Sequence, residues 1–356
     1  MNRLRRGAIL GFGAVAEHGH LPGWKSDARF EIVAVAEPQP ERRAQALRAL
    51  PAARVYDSVA ALLAAEPVDF VDIASPPAFH AEAIVAAATA GAHVLCEKPL
   101  VTRLDEFRRI QEATRAAGVA LHPVHNWKHA EAYRILRGLT GAPASPSGSS
   151  APTGEKRTRW IGAPRELVFR VERNGWSVSE GDWRADRRLG GGGILVDHGW
   201  HAFYLAMGLA GAEPRAVRAT TEQRRYRDAE VEDTALCEIE FGDCQGRIEL
   251  SWAGHVRETS WTVRGSGGTA EIRDAALYLH CGDEETVQGL DSSLSHGSHH
   301  ADWFPGVIDS FAAAIEDPCA AAEAMREAAW CVTLLEAAYT SAARGGVRVE
   351  VAPPQP

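Results

Sequence analysis

Asp197 and His201 stand four residues apart in residues 189–201, LGGGGILVDHGWH. On a helix that spacing puts both on one face, with His198 about a hundred degrees round at 3.6 residues per turn. A carboxylate and an imidazole presented together could bind a hydroxylated substrate and move its proton. The same spacing also suits a plain structural hydrogen bond. The four glycines ahead of the pair lack the Lys-Ser/Thr of a P-loop, so they are expected to let backbone approach a bound ligand. Lys98 lies in CEKPL, residues 96–100, after an apolar run that reads as a strand. A strand end in a parallel sheet opens onto the ligand crevice, and Pro99 fixes the backbone behind the lysine.

A third group of residues points to a dinucleotide. Gly11, Phe12, Gly13, Ala14, Val15 and Ala16 form G-x-G-x-x-A between a strand-like run and a helix-like one, the context this fingerprint requires. Gly11 permits the tight turn, Gly13 lets backbone approach a pyrophosphate, and Ala16 lets the helix pack on the sheet. The helix N-terminus offers N–H groups and a positive dipole end to the diphosphate. Glu37 ends the next strand, where a carboxylate can accept bonds from both ribose hydroxyls and repel a 2′-phosphate. NAD is therefore the expected cofactor, with Arg42 and Arg43 nearby keeping NADP open.

The elements that must position these groups alternate through the first 121 residues. Strands are expected at residues 6–11, 31–37, 68–75, 93–97 and 119–125, with helices at 14–26, 40–50, 80–91 and 104–117. Strands spaced by helices imply a parallel sheet covered on both faces. A Pro/Ser/Gly-rich stretch at 142–154 reads as a loop. After it come ELVFRVER, RAVRATTE, TALCEIEF, GRIELSWA, ETSWTVRG, GTAEIRD and ALYLHC, strands without helices between them, hence an antiparallel sheet. A helical return is expected at 305–343. The division is residues 1–122, binding dinucleotide, and 123–356, binding substrate and assembling oligomers.

Composition excludes other classes. The chain of 356 residues carries 46% hydrophobic and 24% charged residues and a formal charge of −9, which suits a soluble globular protein and not a nucleic-acid binder. The N-terminal MNRLRRGAILGFGAVAEHG imitates a secretory signal, but its glycines interrupt the apolar core and its removal would take the fingerprint with it. A cytoplasmic enzyme with no membrane segment is expected. The six cysteines form no CxxC pair and read as small packing residues. Trp176, Trp183 and Trp200 flank the Asp/His segment and could stack on a sugar ring, though core packing is the commoner use. His296, His299 and His300 have no acidic or cysteine set beside them, so no metal is expected.

Taken together, GFGAVA, SPPAFH (75–80), AGAHVLCEKPL (90–100), DWR and GGGILVDHGWH resemble, in order and spacing, the Gfo/Idh/MocA oxidoreductases, the glucose–fructose oxidoreductase and inositol dehydrogenase family. The resemblance covers nearly the whole chain. It implies an α/β fold with an N-terminal Rossmann domain and a C-terminal α+β domain with an open, mostly antiparallel sheet that commonly forms the oligomer interface. It implies Lys98, Asp197 and His201 as the catalytic group, and Ser75, Pro76, His80, Glu97 and Lys98 alongside the fingerprint as cofactor contacts. The implied activity is NAD(P)-dependent hydride transfer to or from a secondary alcohol or ketone of a small polyhydroxylated substrate, by a homo-oligomer of two or four chains. A redox-cycling glycosidase and a non-enzymatic dinucleotide sensor are the alternatives. Two departures stand out: Tyr204 replaces an aspartate frequent three residues after the last histidine, and Trp127 replaces an arginine after Asn126.

Overall fold

A computed structural model describes residues 3–141, 161–174, 182–295, 297 and 299–354. The 142–154 loop, Trp176 and His296 lie outside the described residues. The chain forms two compact units, Met1–Asn126 with His299–Ala329, and Trp127–Ser298 with Trp330–Pro356.

In the first unit, β1 (Arg5–Leu10), β2 (Phe30–Ala36), β3 (Arg54–Tyr56), β4 (Phe70–Ile73), β5 (His93–Cys96) and β6 (Leu121–Pro123) form one sheet in the order β3-β2-β1-β4-β5-β6. Every pair is parallel. The strands are short apolar runs because helices bury both sheet faces. The order reverses between β1 and β4, and such a switch point leaves a crevice beyond the strand ends. Helix Leu104–Ala117 shows how the sequence dictates its boundaries. Asp105 and Glu106 suit the positive N-terminus, Phe107, Ile110 and Thr114 bury one stripe, and Gly118 at φ 66° ends it left-handed.

Helix Phe304–Glu316 corrects the expected division. Its Phe304, Val307, Ile308 and Phe311 join Ile9, Phe12, Trp24, Phe30 and Phe70 in one buried cluster. Fully burying each such side chain contributes about 1.5–3 kcal/mol, so this segment belongs energetically with the first unit. The expected single return is also two helices, Phe304–Glu316 and Pro318–Ala343, parted at Asp317.

The second unit contains β7 (Pro164–Asn174), β8 (Ala216–Glu222), β9 (Thr234–Phe241), β10 (Cys244–Ser251), β11 (Ala253–Gly265), β12 (Thr269–Arg273), β13 (Ala276–Cys281), β14 (Glu284–Gly289) and β15 (Val349–Glu350), ordered β14-β13-β12-β11-β7-β10-β9-β8-β15. All seven expected strands are present. The sheet is mostly antiparallel, with β7 and β10 parallel. The strand β14 was missed because all six of its residues are exposed, so no alternation marks it. Along β7, Leu167, Phe169 and Val171 face inward, where helix Trp200–Ala210 packs. The other face carries cross-strand ion pairs, Arg170–Glu249, Arg247–Glu238 and Arg264–Glu166. Apolar strands such as GRIELSWA and TALCEIEF lead one to expect an apolar outer face covered in an oligomer; these ion pairs make that face charged instead.

Candidate active site

The glycine turn sits where β1 meets the switch point. Gly11 has φ +91°, and a Cβ there would lie 3.0 Å from the Ser75 backbone. Only glycine fits both constraints. Gly13 is half-buried and Ala14 exposed, and a Cβ on Gly13 would lie 3.6 Å from a guanidinium nitrogen of Arg42. Phe12 and Ala16 are fully buried and lock the turn onto the core. Val15 begins a π-helical turn, Val15–His20, which runs into helix Leu21–Ser26; the expected 14–26 helix thus starts with a widened turn.

Glu37 directly follows β2, and its carboxylate is also engaged by the neighbouring backbone. It is 3% exposed, with Oε2 accepting from Phe12 N at 2.8 Å and Oε1 from Gln39 N at 2.8 Å. The carboxylate braces the glycine turn, and each oxygen keeps a second lone pair for a ribose hydroxyl. Ser75 Oγ is buried with no hydrogen-bond partner among the described residues, which fits a polar ligand beside Gly11. Pro76 is half-buried next to it. His80, expected at the cofactor, is instead fully buried. Its Nδ1 lies 2.9 Å from Pro99 O and its Nε2 2.8 Å from Ser75 O. Burial lowers its pKa while those carbonyls raise it, and the ring spans from Ser75 to the turn after Lys98.

Lys98 and Glu97 follow β5 and are half-buried, and the Lys98–Pro99 peptide is cis. Beneath them runs a charged network that no local sequence pattern announces. His20 Nε2 lies 2.9 Å from Glu97 Oε1, and its Nδ1 lies 3.0 Å from Asp72 Oδ2. Trp24 Nε1 donates to Asp72 at 2.7 Å, and Phe304 stacks on His20 at 4.2 Å. Burial alone would lower the His20 pKa, but the charges of and bonds to Asp72 and Glu97 outweigh it and push it up to about 10. The folded value exceeds the ordinary 6.5, so the stabilisation is fully present below pH 6.5 and is lost as pH rises through about 10. Urea titrations from pH 6 to 10 should show wild type losing stability relative to His20→Gln; parallel curves would contradict this.

In the second unit, Asp197 lies in a π-helical turn, Leu195–Gly199, ahead of helix Trp200–Ala210. The preceding glycines have a different purpose from the expected ligand approach. A Cβ on Gly193 would fall 1.9 Å from Glu232 O, and one on Gly192 would fall 2.0 Å from the Tyr339 hydroxyl. They let the chain pack against its own β9 approach and Pro318–Ala343 helix. Glu232 Oε1 accepts from Gly193 N, Leu195 N and the Tyr339 hydroxyl at 3.0, 3.2 and 2.8 Å. It thereby satisfies N–H groups that a helix start leaves open. Burial raises its pKa even so. Neither residue was singled out from sequence, because both stand far along the chain from the turn they hold.

Asp197 Oδ2 lies 3.2 Å from His198 Nδ1, so His198 is not the bystander that helical spacing suggested. His201 is 5% exposed. Its Nδ1 lies 2.7 Å from the Tyr204 hydroxyl, which also accepts from Trp127 N at 3.2 Å. The Trp127 ring stacks on the imidazole at 4.7 Å and 12°. The two departures noted in the sequence thus meet on one histidine, Tyr204 orienting Nδ1 and Trp127 fixing the ring plane. Trp200 is fully buried, settling it as core, while Trp183 has Arg184 over its face at 4.3 Å. Among the described residues no group of three metal-binding side chains occurs, and no helix is long and apolar enough to cross a membrane.

Residues 5–125 match the oxidoreductase family with NAD-binding Rossmann fold, and residues 157–271 match the GFO/IDH/MocA C-terminal domain. The chain belongs to the Gfo/Idh/MocA family. It is accordingly an NAD(P)-dependent oxidoreductase. Among its Gfo/Idh/MocA relatives, a putative UDP-kanosamine synthase oxidoreductase subunit of Amycolatopsis mediterranei (strain S699) is 28% identical over 96% of this chain and 97% of that one. D-apiose dehydrogenase of Paraburkholderia graminis is 36% identical over 39% of this chain and 38% of its own. An oxidoreductase from Agrobacterium radiobacter, crystallised with NAD+, L-tartaric acid and magnesium, shares the fold at TM-score 0.80 and 21% identity, covering 98% of this chain and 99% of that one.

Proposed function

We propose that this Gfo/Idh/MocA protein interconverts a secondary alcohol and a ketone on a sugar, cyclitol or sugar derivative, with Lys98, Asp197 and His201 as its catalytic group. The setting of His201 carries this reading, since an imidazole held by Tyr204 and Trp127 is built for proton transfer and not for packing alone. Bound nicotinamide supplies the hydride acceptor or donor. In oxidation, His201 takes the hydroxyl proton at Nε2, its Nδ1 being engaged by Tyr204. Lys98 donates a hydrogen bond to the same oxygen and stabilises its developing charge. Asp197 holds a neighbouring hydroxyl. In reduction, His201 returns the proton. The sugar substrates named in the relatives support the substrate class. NADH fluorescence against polyols, sugars, sugar phosphates and nucleotide sugars tests it, with net cofactor turnover expected. Tightly retained NAD without net turnover would favour a glycosidase instead.

Cofactor choice is assigned to NAD. A 2′-phosphate would meet the Glu37 carboxylate, and calorimetric titration should show tighter NAD than NADP binding. Glu37→Ser should narrow the gap and, because Glu37 also holds Phe12 N, weaken both cofactors. Tighter NADP binding by wild type would refute the assignment. A homo-oligomer is proposed on the resemblance alone, since the outer sheet face is charged; light scattering showing a stable monomer at micromolar concentration would refute it.

A further inference from the structure

We propose that His20 is a positioning residue for Lys98: a buried cation that binds Asp72 and Glu97 together and holds the Glu97 carboxylate back from the Lys98 ammonium. The inference rests on the proposed role of Lys98 in stabilising charge on the reacting oxygen. Glu97 is shared between the His20 ring and the Lys98 backbone. Its Oε1 faces His20 Nε2 at 2.9 Å and its Oε2 accepts from the Lys98 backbone N at 3.0 Å. Burial would raise the Glu97 pKa, yet its bond to His20 and the charges of His20 and Lys98 lower it. The carboxylate is therefore ionised, next in sequence to the lysine whose charge the reaction needs.

The surroundings leave His20 as the balancing charge. From β4, Asp72 faces Nδ1, and from the end of β5 come Glu97 and the Cys96 thiol, which burial and both carboxylates keep protonated. Helix Phe304–Glu316 presents the uncharged Phe304 ring. From the following helix Trp24 donates to Asp72, while on the His20 turn Glu17 and His18 lie 3.9 Å from each other; His299 faces the His18 ring at 5.7 Å. His20 thus pairs with both Asp72 and Glu97, and the charge of Lys98 also acts on Glu97. Without the charge on His20, the Glu97 carboxylate would be freer to turn toward the Lys98 charge that already acts on it. A buried ion cluster is weak as a stability device, because apolar packing often does as well; here it lies directly under a functional lysine.

Nitrogen NMR of the NAD-bound protein tests the charge without any substrate. At pH 8.5 both His20 ring nitrogens should be protonated, whereas an imidazole titrating near its ordinary value would overturn the proposal. Kinetics test the role. His20→Gln should lower kcat about tenfold or more through misplaced charge at Lys98, with NAD affinity within about twofold. Adding Glu97→Gln should then recover part of kcat, because the carboxylate that turns on Lys98 is gone. A structural role alone predicts that the second substitution deepens the loss; that result, or unchanged kcat in His20→Gln, sinks the idea. If His20→Gln does not fold, the NMR titration of wild type still decides the charge, and His20→Asn with and without Glu97→Gln repeats the kinetic test. Loss of the Lys98 role itself would show separately, as full turnover in a Lys98 variant.

Discussion

His201→Asn should reduce turnover by about 10²–10⁴-fold, the scale lost with a general base. Asparagine can keep the bond that Nδ1 makes to the Tyr204 hydroxyl and leave room for the Trp127 ring, but it has no group in place of Nε2. The loss should therefore fall on proton transfer, with NAD affinity unchanged. In wild type the oxidation rate should rise with pH as the base loses its proton, and that step should disappear in the variant. His198→Asn is the informative comparison, because His198 lies against Asp197 and its substitution disturbs a neighbour of the base without removing the base. It should lose some rate and keep the pH step. If His198→Asn abolishes the step while His201→Asn preserves it, the base has been misassigned.

Lys98→Met should cost roughly 10²-fold in turnover, as when a preorganised donor to a developing oxyanion is removed. Methionine keeps the length and apolar stem of lysine and removes the cation. NAD affinity should barely change, because the diphosphate is proposed to sit on the turn at residues 11–16. Steady-state kinetics with calorimetry separate the two effects. Full turnover by this variant on the true substrate would remove Lys98 from the catalytic group, and a large loss of NAD affinity would make it a cofactor ligand first.

The parts of the fold governed by local chemistry were readable in advance. The fingerprint required a strand before it and a helix after it, and Gly11 at φ +91° against Ser75 shows why that residue type is needed. Seven of the nine strands of the second unit had a pattern strong enough to name, whereas β14, exposed throughout, and β15, two residues long, had none. Contacts between distant stretches were not readable. Helix Phe304–Glu316 completes a core begun by Ile9 and Trp24, and no local pattern says which sheet an amphipathic helix will cover. The glycines before Asp197 were recognised as permitting close approach, but what approaches is Glu232 and Tyr339. Glu37 was placed by its position at a strand end and His80 by resemblance; what each touches depends on a neighbouring turn, which spacing cannot reveal. At His201 the two departures from the usual residues carried the signal, since Tyr204 and Trp127 meet on the same ring.

Both π turns, Val15–His20 and Leu195–Gly199, carry one more residue than an α-helical turn would. The helix after the second is buried along most of its length, including Trp200, Phe203, Tyr204 and Leu205, so it cannot rotate without tearing up its packing. A change in chain length just before it would be absorbed in the wide turn. Those five residues are thus a place where evolution can add or drop a codon and exchange the groups beside His201 while the scaffold stays still. Diversification of substrate range by single-residue insertion and deletion, and not only by substitution, becomes accessible to such a site.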